Sequence, residues 1–144
     1  MRDRAVRRWS AVHRTVYRLS RGRLGTRLVG NDMLLLTTMG RKSGEAHTVP
    51  LLYLSDGETI AVIASFGGRD HHPDWYLNLM ADPSVTARTG ERELRLIART
   101  ATPAERETWW PRAVDAYRDY ALYQDRTKRQ IPIVLLRPVR GETA

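Results

Sequence analysis

The sequence has 144 residues, 42% hydrophobic and 28% charged. That size and mix suit one globular domain and exclude collagen-like, mucin-like and wholly disordered chains. Cys is absent, which excludes disulfides, a thiolate nucleophile and Cys-ligated zinc or iron–sulfur sites. The net charge of +8 is unevenly placed: residues 1–27 hold nine Arg against one Asp, and the remainder is neutral.

Residues 1–27 read as a basic amphipathic helical arm. Val6, Trp9, Val12, Val16 and Leu19 recur at steps of three and four, the stripe of a helix, with Arg residues around it. Gly22 and Gly25 end it. The arm lacks the apolar run of a secretory signal or a membrane span, so the expected compartment is the cytoplasm. Three readings of the arm stay open. It packs on its own domain, it lies on the anionic inner face of the cell membrane, or it binds nucleic acid. The last is disfavoured, because the body shows neither a helix-turn-helix pattern nor aromatic RNA-binding motifs.

Residues 28–144 read as a single domain. Met33–Thr38 predicts a strand, and Gly40–Glu45 a polar loop. His47–Leu54 predicts a second strand, in which Pro50 argues for an edge or a bulge. Asp56-Gly57 is a hairpin signal. Thr59–Ser65 is apolar enough for a buried strand, which Gly67-Gly68 breaks. Pro73–Ala81 predicts a short helix stopped by Pro83, and Val85–Thr89 with Glu93–Ala101 a second hairpin. A long helix starts at Thr102, where Thr102 and Glu105 form a capping box and Pro103 takes the first position. It runs to about Asp125, with Pro111 as the place to break. Ile131–Leu136 is the last strand. Strands in consecutive hairpins with late helices predict an α+β fold, mainly a small antiparallel barrel. Neither GxGxxG nor GxxxxGK[ST] occurs, which argues against Rossmann and P-loop folds.

Three constellations could carry chemistry. The loop Gly40-Arg41-Lys42-Ser43-Gly44 sets two cations and a hydroxyl between glycines that let backbone N–H groups approach an anion. It reads equally as a solvated hairpin turn. Ser65-Phe66-Gly67-Gly68 precedes a helix on which Trp75 and Asn78, three apart, share a face. An aromatic beside an amide suits a planar heterocycle; the alternative places Trp75 and Leu79 in the core and Asn78 in solvent. Tyr117, Tyr120 and Tyr123 form a stripe that could cover a pocket and offer O–H donors, or simply pack. No metal site is expected, since His71-His72 are adjacent and lack a second ligand pair. The absence of GxSxG argues against a serine hydrolase.

Taken together, these motifs resemble the deazaflavin-dependent nitroreductase family of actinobacteria. The matching stretches are Leu34–Gly44, Val49–Tyr53, Ala64–Gly68, Pro73–Ala81 with Pro83, and the late tyrosines ahead of Ile131-Pro132-Ile133. The resemblance implies a split β-barrel related to flavin-nucleotide-binding oxidases, with coenzyme F420 as cofactor. It implies hydride transfer from the reduced deazaflavin to a quinone, nitroaromatic or activated-alkene acceptor. By position, Arg41, Lys42, Ser43 and Gly44 would meet the cofactor's phosphate and acidic tail. Val49, Pro50, Ala64 and Ser65 would line the deazaflavin, with Gly67, Gly68, Trp75 and Asn78 around it. Tyr117, Tyr120 and Tyr123 would line the substrate side. Tyr120 is the expected donor to the acceptor's developing charge, and Ser65 is expected to hold the deazaflavin edge. FMN is the alternative cofactor, and a non-enzymatic, membrane-docked ligand-binding barrel the alternative function. A monomer and a homodimer are both compatible. Four positions depart from the family pattern. Phe66 follows Ser65 where a Lys occurs in the best-known members, His47 replaces a common Arg, Leu52 a common aromatic, and Asp74 sits at a position that can be apolar.

Overall fold

The computed structural model describes residues 33–139, so the expected basic arm over residues 1–27 lies outside the described residues. Six strands are present: β1 (Met33–Met39), β2 (Ala46–Asp56), β3 (Thr59–Ile63), β4 (Ser84–Thr89), β5 (Arg92–Thr100) and β6 (Ile133–Pro138). They close a barrel in the order β1-β2-β3-β6-β5-β4, with every pair antiparallel. Three helices accompany them: α1 (Asp74–Ala81), α2 (Pro103–Ala116) and α3 (Asp119–Asp125). This is the expected split-barrel architecture. Among the described residues no helix is long and apolar enough to cross a membrane.

The side chains of a strand alternate between faces, and here both faces of β3 and β6 are covered. Ile60, Val62, Val134 and Leu136 join Leu34, Leu36, Val85, Ala87 and Leu96 in the barrel interior. Their neighbours Ala61, Ile63, Ile133 and Leu135 pack outside, under Trp109 and Ala113 of α2 and Tyr120 of α3. Burial on both faces explains why these two strands read as unbroken apolar runs.

The barrel is incomplete along β2. Residues 46–52 pair with β1, but pairing with β3 covers only Tyr53–Asp56. Pro50 sits in the half-paired stretch, where one side of the strand has no ladder to supply with N–H donors. β3 ends at Ile63 rather than Ser65, because Ser65 takes helical backbone angles (φ −72°, ψ −40°).

The late helix breaks at a different place from the one expected. Pro111 lies inside α2, and the chain turns instead at Tyr117, whose backbone is extended (φ −147°, ψ 98°). A proline costs a helix one hydrogen bond and bends it, and here the helix continues through it. The turn at Tyr117 lets Tyr120 bury against the barrel wall while α2 covers β6. α2 begins as the sequence indicates. The Thr102 hydroxyl accepts the Glu105 N–H at 3.2 Å, and Glu105 Oε1 accepts the Thr102 N–H at 2.9 Å. Arg99 forks onto the same carboxylate at 2.6 Å twice. Hydrogen bonds from Arg99 first, then from Thr102, hold the Glu105 carboxyl down at about 2.

Thr102→Ala removes one half of this cap. Urea unfolding should show a loss of about 1 kcal/mol, and an unchanged midpoint would mean that the box does not hold α2. The Glu105 contribution should be fully present above the usual carboxylate range and fade as pH falls toward 2.

Candidate functional site

Three segments carry the residues expected at the site. The first is the Gly40–Gly44 loop, closed by Gly44 N–H donating to the Gly40 carbonyl at 2.8 Å. Arg41 turns inward. Its backbone N–H and its Nη1 both donate to Asn78 Oδ1, at 3.2 and 2.8 Å, and Nη2 reaches Asp74 at 3.4 Å. Asn78 Nδ2 in turn donates to Thr38 Oγ1 at 3.3 Å. Asn78 is therefore buried, and it braces α1 against the loop rather than facing solvent. Asp74 supplies an ion-pair partner for Arg41. Lys42 is exposed, and none of the hydrogen bonds or ion pairs among the described residues engages it. The Ser43 hydroxyl accepts the Glu45 N–H at 3.2 Å. The His47 ring lies so close to Gly40 that a Cβ there would meet it at 2.9 Å.

The second segment is the turn after β3. Phe66, Gly67 and Gly68 have φ of +48°, +64° and +79°. Positive φ is costly for Phe, and such strain concentrates at functional sites. A right-handed residue followed by a left-handed one makes successive N–H groups converge on a concavity. None of the turn's backbone hydrogen bonds uses the N–H of Ser65, Phe66 or Gly67; the donors are those of Ala64, Gly68 and Arg69. Arg69 stacks 4.3 Å over the Phe66 ring, so a cation stands at this turn. Gly68 is required by close approach, since a Cβ would meet the Tyr123 carbonyl of α3 at 2.6 Å.

Other residues expected at the cofactor lie deeper. Val49, Ala64 and Trp75 pack with the barrel interior, as does Leu79, so the core alternative holds for Trp75. Pro50 and Ser65 are half-buried at the open side. His72 leads into α1 and packs 4.8 Å from the Tyr76 ring. Its Nδ1 lies 3.0 Å from Arg129 Nη1. Arg129, which sequence reasoning missed, also donates to the Arg69, Ser65 and Ala64 carbonyls. Nothing local marks it, because it stands in a polar stretch among other basic residues.

The third segment is the tyrosine cluster. The rings of Tyr117, Tyr120 and Tyr123 meet edge-on at 5.0 to 6.4 Å, and the Tyr117 and Tyr123 hydroxyls pair at 3.3 Å. Tyr117 and Tyr120 border an apolar cleft with Leu52, Leu54, Ala61 and Ile63 of the outer β2–β3 face. Leu52 is one wall. Tyr120 is 6% exposed, and its hydroxyl enters no hydrogen bond among the described residues. Burial pushes its phenol up, with Tyr117 and Tyr123 adding to the effect. The Tyr117 phenol is also raised, chiefly by its hydrogen bond to Tyr123.

Comparison with known proteins places these features in a family. The profile of the F420H(2)-dependent quinone reductases matches residues 9–138. An F420H(2)-dependent quinone reductase of Mycobacterium tuberculosis is 35% identical over 129 residues, 87% of each chain. A solved structure described as an F420-H2 dependent reductase is 42% identical with TM-score 0.67, covering 72% of this chain and 92% of that one. Another, described as a domain-swapped dimer, is 42% identical with TM-score 0.68, covering 72% and 78%.

The raised Tyr120 pKa fixes a pH dependence. The native state holds a phenolic proton that the unfolded chain releases near pH 10, so stability is full below that pH and falls as pH rises above it. Tyr120→Phe should lose less stability than the parent between pH 8 and 11 in chemical denaturation. Equal losses would contradict a buried, neutral phenol.

Proposed function

The chain belongs to the F420H(2)-dependent quinone reductase family, and from that premise we propose how its residues serve hydride transfer to a quinone. It is an oxidoreductase, and its cofactor is coenzyme F420. The residues present fit that group. A deazaflavin offers a polar ring edge, a phosphodiester and an acidic tail. The chain offers unpaired amides at Ser65, Phe66 and Gly67, a glycine-bounded loop, and Lys42 exposed to meet negative charge. Arg41 has a different part, since its partners are Asn78 and Asp74. It holds the loop to α1 and leaves Lys42 and the Ser43 backbone N–H as the anion contacts, since the Gly44 N–H closes the loop.

Reduced F420 supplies the hydride, so the protein needs no acid–base dyad of its own. Its task is to hold donor and acceptor in reach, exclude water and stabilise charge. The reading is carried by one observation: at an apolar cleft, the Tyr120 hydroxyl has no hydrogen-bond partner among the described residues. A quinone oxygen gains negative charge as the ring takes a hydride. A desolvated O–H aimed at that oxygen stabilises the charge far more than water does. Because burial raises its pKa, Tyr120 keeps its proton over the whole working range. The paired Tyr117 and Tyr123 hydroxyls hold the helix junction that orients it. Nitroaromatics and activated alkenes would present a similar developing charge and belong to the same reading. Ser65 is assigned to the ring edge, where its amide and half-buried side chain stand together.

Fluorescence titration with oxidised F420 tests the reading. Saturable binding at micromolar protein is expected, with no uptake of FMN under the same conditions; the reverse result would replace the cofactor. Lys42→Ala should weaken F420 binding about tenfold, and more for long glutamate tails than short ones. Equal affinities would remove the loop from the site. Tyr120→Phe should lower kcat on a quinone by about a hundredfold at unchanged F420 affinity; a parental kcat would exclude Tyr120 as the donor.

A further inference from the structure

We infer that Arg129 is the positioning residue of the cofactor turn: its guanidinium grips the carbonyl side of the Ala64–Arg69 chain and thereby aims the Ser65 and Phe66 amides at the ligand. The identity of that ligand as F420 rests on the reading above; the clamp itself does not.

The geometry is a four-point fork. Nε donates to the Arg69 carbonyl at 2.7 Å, Nη2 to the Ser65 carbonyl at 2.8 Å and Nη1 to the Ala64 carbonyl at 3.2 Å. Nη1 also donates to His72 Nδ1 at 3.0 Å. The described peptides are all trans, and in a planar trans peptide the C=O and the next N–H point in opposite directions. Pulling the Ala64 and Ser65 carbonyls toward Arg129 therefore turns the Ser65 and Phe66 N–H groups away from it. These are the amides that no other group in the turn uses. A cation on the carbonyl side also polarises both peptides and makes their N–H groups better donors. Arg126 adds a longer contact to the Gly67 carbonyl at 3.5 Å. Lys could not replace this fork, because an ammonium is a point charge without three fixed, divergent N–H directions.

His72 completes the device. As the acceptor for Nη1 it is neutral at that nitrogen. Burial first, then Arg129 and His71, lower its pKa. Asp70 faces Arg129 as the nearby acid, and the Tyr76 ring covers the imidazole.

The test uses Arg129→Met and Arg129→Lys with three readouts: urea midpoint, F420 affinity by fluorescence, and His72 ring titration by NMR on ligand-free protein. We expect both variants to bind F420 at least tenfold more weakly than the parent. The His72 pKa should rise in Arg129→Met, where the cation is gone. A merely structural Arg129 would lower the urea midpoint and leave the affinity of the folded fraction unchanged, which overturns the proposal. If Arg129→Met does not fold, Arg129→Lys carries the affinity comparison with the same two outcomes. If the parent itself fails to bind F420, the cofactor reading falls and the clamp is judged on His72 alone: an unmoved titration in Arg129→Met overturns it.

Discussion

Three carbonyls after β3, those of Ala64, Ser65 and Arg69, leave the ladder while still partly buried. A buried carbonyl without a donor costs about 1–3 kcal/mol. The Arg129 guanidinium donates to all three from one side, and the Ser65 carbonyl also accepts the Gly68 N–H at 2.9 Å. Much else hangs on the turn that it holds. Gly68 lies directly against the Tyr123 backbone, so the turn sets where α3 and its tyrosines stand. His72, in the same fork, leads into α1. Asn78 of α1 then holds the Gly40–Gly44 loop through Arg41. Loop, turn and tyrosine helix are remote in sequence, yet one connected set of hydrogen bonds and close contacts relates them.

On the proposed reading, that connection lets a body of zero net charge take up an acidic cofactor. The +8 excess of the chain lies in residues 1–27, and residues 28–144 carry no net charge. Local arrangement takes the place of net charge. Arg41 is committed to Asp74 and Asn78, which fixes the loop and leaves Lys42 to meet charge. At the turn, donors come from the backbone, with cationic side chains placed behind or beside it. At the cleft the requirement is the opposite. The walls are apolar and one phenol is desolvated, which suits stabilising charge that appears only as the acceptor is reduced.

The barrel was legible because its signals are local. Asp56-Gly57 marks a hairpin, and Pro50 marks a strand with one side free, as the register bears out. Thr102, Pro103 and Glu105 announce the start of α2 within four residues. Local signals also misled. Pro111 looked like the helix break, but tertiary burial of Tyr120 moved it to Tyr117. Asn78 reads from spacing either as a ligand-facing or as a surface amide, and in the structure Arg41 and Thr38 close on it. Arg129 had no signal at all, since its partners lie 57 to 65 positions away. Spacing can group residues on one face of an element, but it cannot say which distant carbonyls a guanidinium will find.

On the proposed reading, the turn amides that are unpaired among the described residues are the cofactor's contact. The decisive experiment is backbone NMR of the parent protein during addition of oxidised F420. The Ser65, Phe66 and Gly67 amides should shift and exchange more slowly with solvent at saturation. Saturable F420 binding that leaves those three amides unmoved would contradict that reading.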